Sequence, residues 1–144
     1  MATETVAIGA DHGGFPVKAA LKDRLEAGGY EVLDFGTDSE ESVDYPEYAD
    51  RVAGAVSDGS ARCGILVCGS GIGMSIAANR HSGIRAALCH DEETARLSRQ
   101  HNNANILVLG GRLIDEQTAI KCLELFLETA FEGGRHQRRI EKLK

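Results

Sequence analysis

Five short apolar runs recur along the chain with helix-like stretches between most of them, and that alternation constrains the fold more than any other feature. The runs are Val6–Gly9, Glu31–Phe35, Gly64–Cys68, Ile84–Cys89 and Ile106–Leu109. Helical patterns fall at about Phe15–Ala27, Pro46–Asp58, Met74–Arg80, Glu92–Gln100 and Glu116–Phe131. Gly28-Gly29 closes the first and Gly133-Gly134 the last. Strands that alternate with helices pair in parallel through crossover connections, so the expected class is α/β: a three-layer α/β/α sandwich with a five-stranded parallel sheet. No linker, low-complexity tract or internal repeat divides the 144 residues. A single domain over residues 1–144 is expected, with a basic C-terminal arm at 133–144 that carries a final short helix.

Charge narrows the function. Sixteen Lys and Arg against 22 Asp and Glu give a net charge of −6, so no overall positive field draws in a phosphate backbone and nucleic acid is not an expected partner. Positive charge gathers in the arm, where Arg135, Arg138, Arg139, Lys142 and Lys144 face one anion, Glu141. Such a cluster is either a solvated helix end or a local anion clamp. No run approaches the roughly 18 apolar residues of a membrane span, and the start, Met1-Ala-Thr-Glu-Thr-Val6, lacks a signal peptide's basic and apolar regions. The expected location is cytoplasmic, with no membrane partner.

Cys63, Cys68, Cys89 and Cys122 form no C-x-x-C pair, and three lie in apolar runs where a thiol acts as a small hydrophobe. No disulfide framework is expected. His12, His81, His90, His101 and His136 are scattered without ligand spacing, so neither a metal nor any other cofactor is expected.

In a parallel α/β sheet, ligands bind beyond the carboxyl ends of the strands. Four of the five predicted strands end in glycine or polar chemistry: Gly9-Ala-Asp-His-Gly-Gly14, Cys68-Gly-Ser-Gly-Ile-Gly73, Cys89-His-Asp91 and Gly110-Gly-Arg112. The second of these lets the backbone turn tightly and aim N–H groups at an anion. Its G-x-G-x-G spacing follows the third strand and lacks a Walker lysine, so it is weak as a dinucleotide loop. Asp91, about 20 residues on, keeps that reading open. Cys68 stands before a helix N-terminus, a setting that favours thiolate, although a strand cysteine is also an ordinary core residue. Met74 occupies the place where a cysteine phosphatase needs arginine, which excludes that class. Asp11 before Gly13-Gly14 suits a tight turn as well as a ligand contact, and His101 suits a helix C-terminus as well as a proton donor.

Taken together, Gly9–Gly14, Asp44-Tyr-Pro46, Cys68–Gly73, Ala77-Ala-Asn79, Gly83-Ile-Arg-Ala86, Ser98–Asn102, Gly110-Gly-Arg112 and Glu132–Gln137 resemble the B-type ribose-5-phosphate isomerases. These share a fold with galactose-6-phosphate isomerase subunits. The match runs in order through nearly the whole chain and implies a Rossmann-like fold. It also implies a metal-independent aldose–ketose isomerase that interconverts ribose 5-phosphate and ribulose 5-phosphate through an enediolate. That chemistry needs a carbon base, a proton shuttle, donors for the enediolate and a grip on phosphate.

By the resemblance, Cys68 is the base, Ser70 shuttles protons and His101 opens the sugar ring. The N–H groups of Gly69, Ser70, Gly71, Ile72 and Gly73 hold the enediolate. Asp11, His12, Tyr45 and Asn102 line the substrate pocket, and Arg112, Arg135 and Arg139 grip the phosphate. One branch of the family uses a later glutamate as base, but that position here is Met74, so Cys68 carries the task. In the family the site combines residues of two chains, which implies a homodimer, with pairing to a tetramer open. The remaining readings are an isomerase of allose or galactose 6-phosphate and a non-catalytic nucleotide-binding module. The presence of Cys68, His101 and three arginines in one chain favours a self-sufficient enzyme over both. Cys63, Cys89, Cys122, His81 and His90 are read as structural or surface residues.

Overall fold

The computed structural model describes residues 3–143. Met1 and Ala2 of the N-terminal stretch and Lys144 of the basic arm lie outside the described residues. Five strands, β1 (Thr5–Ala10), β2 (Glu31–Asp34), β3 (Cys63–Cys68), β4 (Ala86–Leu88) and β5 (Ile106–Gly110), form one parallel sheet in the order β2-β1-β3-β5-β4. Helices α1 (Phe15–Ala27), α2 (Tyr45–Ser57), α3 (Ile72–Ala78), α4 (Glu92–Asn102) and α5 (Glu116–Glu128) connect or follow the strands, and α6 (Arg135–Ile140) ends the chain. No helix among the described residues is long and apolar enough to cross a membrane.

The period-two alternation of the three central strands builds two cores. Val6 and Ile8 of β1, Ile65 and Val67 of β3, and Leu107 and Leu109 of β5 pack with Leu21 and Leu25 of α1 and with Leu123 and Phe126 of α5. Ala7, Leu66, Cys68, Ile106 and Val108 point the other way, against Val52 of α2 and Met74 of α3. Because both faces are covered, β1, β3 and β5 read as nearly continuous apolar runs.

Two expected elements need correction. The last long helix stops at Glu128, not Phe131, and Gly133-Gly134 does not close it. Thr129 turns extended (φ −87°, ψ 127°), its carbonyl accepts from Arg99 Nε at 3.1 Å, and Glu132 N–H donates to the Gln100 carbonyl at 3.1 Å. Contacts with α4 peel the segment away, and the two glycines, both at positive φ, turn it into α6. The shortest strand also contracts, from the expected Ile84–Cys89 to Ala86–Leu88, because β4 is an edge strand paired only with β5.

An ion pair between a buried lysine and a partly exposed carboxylate ties α1 to β2. Lys18 Nζ, 3% exposed as a residue, donates to both carboxylate oxygens of Asp34 at 2.9 and 2.7 Å. Burial raises the Asp34 pKa, but hydrogen bonds from Lys18, the Gly36 N–H and Lys22 outweigh it and hold the carboxyl below its usual range. A depressed native pKa means that this contribution is complete above an unfolded value of about 4 and is lost as the pH falls through the native one. Asp34→Ala strands a buried ammonium and is expected to cost about 3 kcal/mol, read as a lower denaturant midpoint at neutral pH; a change below about 1 kcal/mol would refute the assigned weight of the pair.

Candidate active site

Strand order reverses direction between β1 and β3: the chain goes from β1 outward to β2, then returns to place β3 on the other side of β1. At such a switch point the loops leaving adjacent strands diverge and open a crevice above the carboxyl edge. The loops after β1 and β3 flank it, and β5, next to β3, adds a third.

The loops are bonded to one another. Asp11 N–H donates to the Val67 carbonyl at 3.2 Å, while Gly111 N–H and Arg112 N–H donate to the Cys68 and Gly69 carbonyls at 2.8 and 3.0 Å. A Cβ at Gly69 would stand 3.4 Å from Arg112 Nη1, so the guanidinium lies directly on the glycine loop. Among the described residues no carboxylate pairs with Arg112, which leaves its five donors for a ligand.

Within this frame Cys68 ends β3 with its side chain in the crevice-side core, and the Gly71 N–H donates to its Sγ at 3.1 Å. The loop reaches that geometry because Gly71 sits at φ +80°, where a Cβ would also lie 3.0 Å from the Leu109 backbone. Burial pushes the thiols of Cys63, Cys89 and Cys122 up to about 11, 11 and 12, which keeps them as protonated core thiols.

The other expected residues at this edge take defined places. Ser70 Oγ accepts from Ile72 N–H at 3.2 Å in the loop. The Tyr45 ring opens α2 and lies against Gly73, where a Cβ would come within 2.5 Å of it. His12 Nδ1 accepts from Val43 N–H at 3.2 Å, which puts the ring proton on Nε2 as a donor. Asp11, 7% exposed, accepts from Gly14 N–H at 3.1 Å, so the turn role is realised, with one oxygen used for it.

The remaining expected residues are elsewhere. His101 and Asn102 end α4, and a helix that precedes a parallel strand ends at the amino edge of the sheet. Arg135 and Arg139 lie on α6, which packs against α4 at that same edge. Cys68 and His101 therefore lie at opposite edges of one chain. The sequence reading missed Glu132, and it gave His136 no role. The His136 ring stacks on His101 with centroids 4.3 Å apart, and both approach Glu132. Burial, then the charges of His101 and Arg135, hold His136 below the ordinary imidazole range. The i,i+4 spacing of Glu132 and His136 was the available signal, but nothing in sequence joined them to His101.

Fold and site thus define a parallel α/β protein with a thiol and a glycine loop at its switch point. The ribose/galactose isomerase family model matches residues 6–143, and the chain belongs to that family. It is 46% identical to ribose-5-phosphate isomerase B of Escherichia coli over 138 residues, covering 96% of this chain and 93% of the relative. The ribose 5-phosphate isomerase structure from Thermotoga maritima superposes with a TM-score of 0.96 at 55% identity, covering 97% of both chains. The Mycoplasma genitalium ribose-5-phosphate isomerase B, solved with bound ribulose 5-phosphate, superposes with a TM-score of 0.94 at 41% identity, covering 99% of this chain and 95% of that one.

Proposed function

We propose that the chain interconverts ribose 5-phosphate and ribulose 5-phosphate by moving a proton between adjacent carbons through an enediolate. The observation that carries this reading is the Cys68 sulfur, held by the Gly71 N–H in a glycine loop overlaid by Arg112. A thiolate there takes the proton from the hydroxyl-bearing carbon next to the carbonyl, while loop N–H groups from Gly69 to Gly73 receive the charge that develops on oxygen. Ser70 relays protons between the two substrate oxygens, and His12 Nε2–H, Asp11 and Tyr45 bind the sugar.

His101 and Asn102, for ring opening and hydroxyl binding, and Arg135 and Arg139, for phosphate, come from a second copy of the chain. Helix α4 has 11 residues and spans about 16 Å at roughly 1.5 Å per residue, so these groups lie a sheet's depth from their own Cys68. A symmetric dimer sets the amino-edge group of each copy over the carboxyl-edge crevice of the other. Among the described residues the Arg135 and Arg139 guanidiniums have no carboxylate partner, which suits them to a doubly charged phosphate.

Arg135→Ala or Arg139→Ala is expected to raise KM for ribose 5-phosphate about tenfold or more with a smaller change in kcat, in steady-state assays. Equal damage to turnover of unphosphorylated ribose would refute a phosphate contact. The test of the reaction is proton NMR with ribose 5-phosphate in D₂O and excess EDTA. Ketose formation with deuterium at the exchanging carbon is expected. Turnover of allose or galactose 6-phosphate without turnover of ribose 5-phosphate would overturn the substrate, and no exchange with any of them would overturn the activity.

A further inference from the structure

His101 ends α4 with its side chain 40% exposed, a setting that leaves the second side-chain torsion of a histidine broad. Glu132 does not fix the ring, because its Oε1 stands 3.9 Å from His101 Nε2, beyond the roughly 2.7–3.2 Å of a hydrogen bond. The His136 ring does. It covers the His101 ring with centroids 4.3 Å apart and planes 15° from parallel, so His101 cannot rotate out of that plane without losing the contact.

The supporting ring is itself held. His136 is 8% exposed in the first turn of α6, its N–H donates to the Gly133 carbonyl at 3.1 Å, and α6 packs against α4. The charged groups that face it are His101 on α4, Glu132 on the preceding loop, and Arg135 and Arg139 on α6. Burial, then His101, Arg135 and Arg139, outweigh Glu132 and hold His136 below the ordinary imidazole range. Near neutral pH it therefore offers His101 an uncharged flat face.

We propose that His136 is a positioning residue, which orients His101 by stacking so that His101 meets the ring oxygen of the sugar in one geometry. This rests on the ring-opening role proposed above for His101. In that step the bond between C1 and the ring oxygen breaks, His101 gives the oxygen a proton, and the anomeric hydroxyl releases its own proton to water as the carbonyl forms. A donor misplaced by about 1 Å can cost about 10²-fold in rate, so a ring held in advance matters to this step. His136 acts through His101 and needs no contact with the sugar.

The two sugars separate this role from a merely structural one. Ribulose 5-phosphate is open-chain, because the hydroxyl that would close a five-membered ring on its C2 carbonyl carries the phosphate. Proton exchange at its C1 therefore bypasses ring opening. In the full-length protein, His136→Ala is expected to lower kcat for ribose 5-phosphate about tenfold or more. Exchange of the ribulose 5-phosphate C1 proton with D₂O, read by proton NMR, and KM for both sugars should stay within about twofold. His136→Phe, which restores a flat uncharged ring, is expected to recover at least about half of kcat. Parallel loss of turnover and exchange, or a rise in KM for both sugars, would reduce His136 to a support of α6 and overturn the role. So would an unchanged kcat in His136→Ala, or a His136→Phe protein that exchanges normally yet turns over no better than the alanine variant. His101→Ala tests the underlying reading separately, since it should show the same split between the two sugars. A split in His101→Ala without one in His136→Ala would overturn the positioning alone. No split in His101→Ala would overturn ring opening by His101, and the positioning with it.

Discussion

Replacing Cys68 with alanine is expected to lower kcat for ribose 5-phosphate by about 10²- to 10⁴-fold while KM changes little, the signature of a lost general base. Alanine removes the thiol that, among the described residues, accepts a loop N–H, yet it leaves Gly71 at φ +80° and Arg112 over Gly69, so the loop geometry survives. The pocket keeps its binding groups and loses its proton acceptor. Two measurements decide the matter: steady-state kinetics and loss of deuterium incorporation in D₂O. Retained exchange would show that another group takes the proton. Cys63→Ala, Cys89→Ala and Cys122→Ala serve as controls; their thiols are buried and pushed up to about 11 or 12, so their loss affects packing, not turnover.

Mixing two crippled variants is expected to restore activity. Cys68→Ala lacks a group at the carboxyl edge, and His101→Ala lacks one at the amino edge, so a mixed dimer has one site with both groups intact and one with neither. With random pairing after joint refolding, half the dimers are mixed, and roughly a quarter of normal activity returns from two nearly inactive preparations. The expectation rests on the proposed dimer, since no rotamer change carries His101 across the depth of its own domain. Failure of the mixture to exceed either variant alone, with mixed dimers verified by mass, would place the whole site in one chain.

Much of the fold was legible from local pattern. The strand cores at Val6–Gly9, Gly64–Cys68 and Ile106–Leu109 were evident because central parallel strands are buried on both faces and leave no room for polar residues. The first helix was legible to the residue because Pro16 opens it and Gly28-Gly29 ends it. The end of α5 was not, since its sequence stays helix-compatible to Phe131 and only the bonds from Arg99 to Thr129 and from Glu132 to Gln100 stop it. The exposed edge strand β4 was overestimated for a related reason: apolar residues near a sheet edge resemble strand whether or not a neighbour pairs with them.

The site divides along the same line. Sequence alone determined its chemistry: a cysteine at a strand end, glycines that free the backbone behind it, and arginines gathered on an otherwise acidic chain. These are properties of residues and of their nearest neighbours, and short-range rules suffice to read them. The tertiary structure decided the placement. It put β1 beside β3 to open the crevice, set Arg112 on Gly69, turned His12 Nδ1 toward Val43, and sent His101 to the far edge beside Glu132 and His136. Strand order and helix direction arise from packing between segments far apart in the chain, and no local periodicity carries that information.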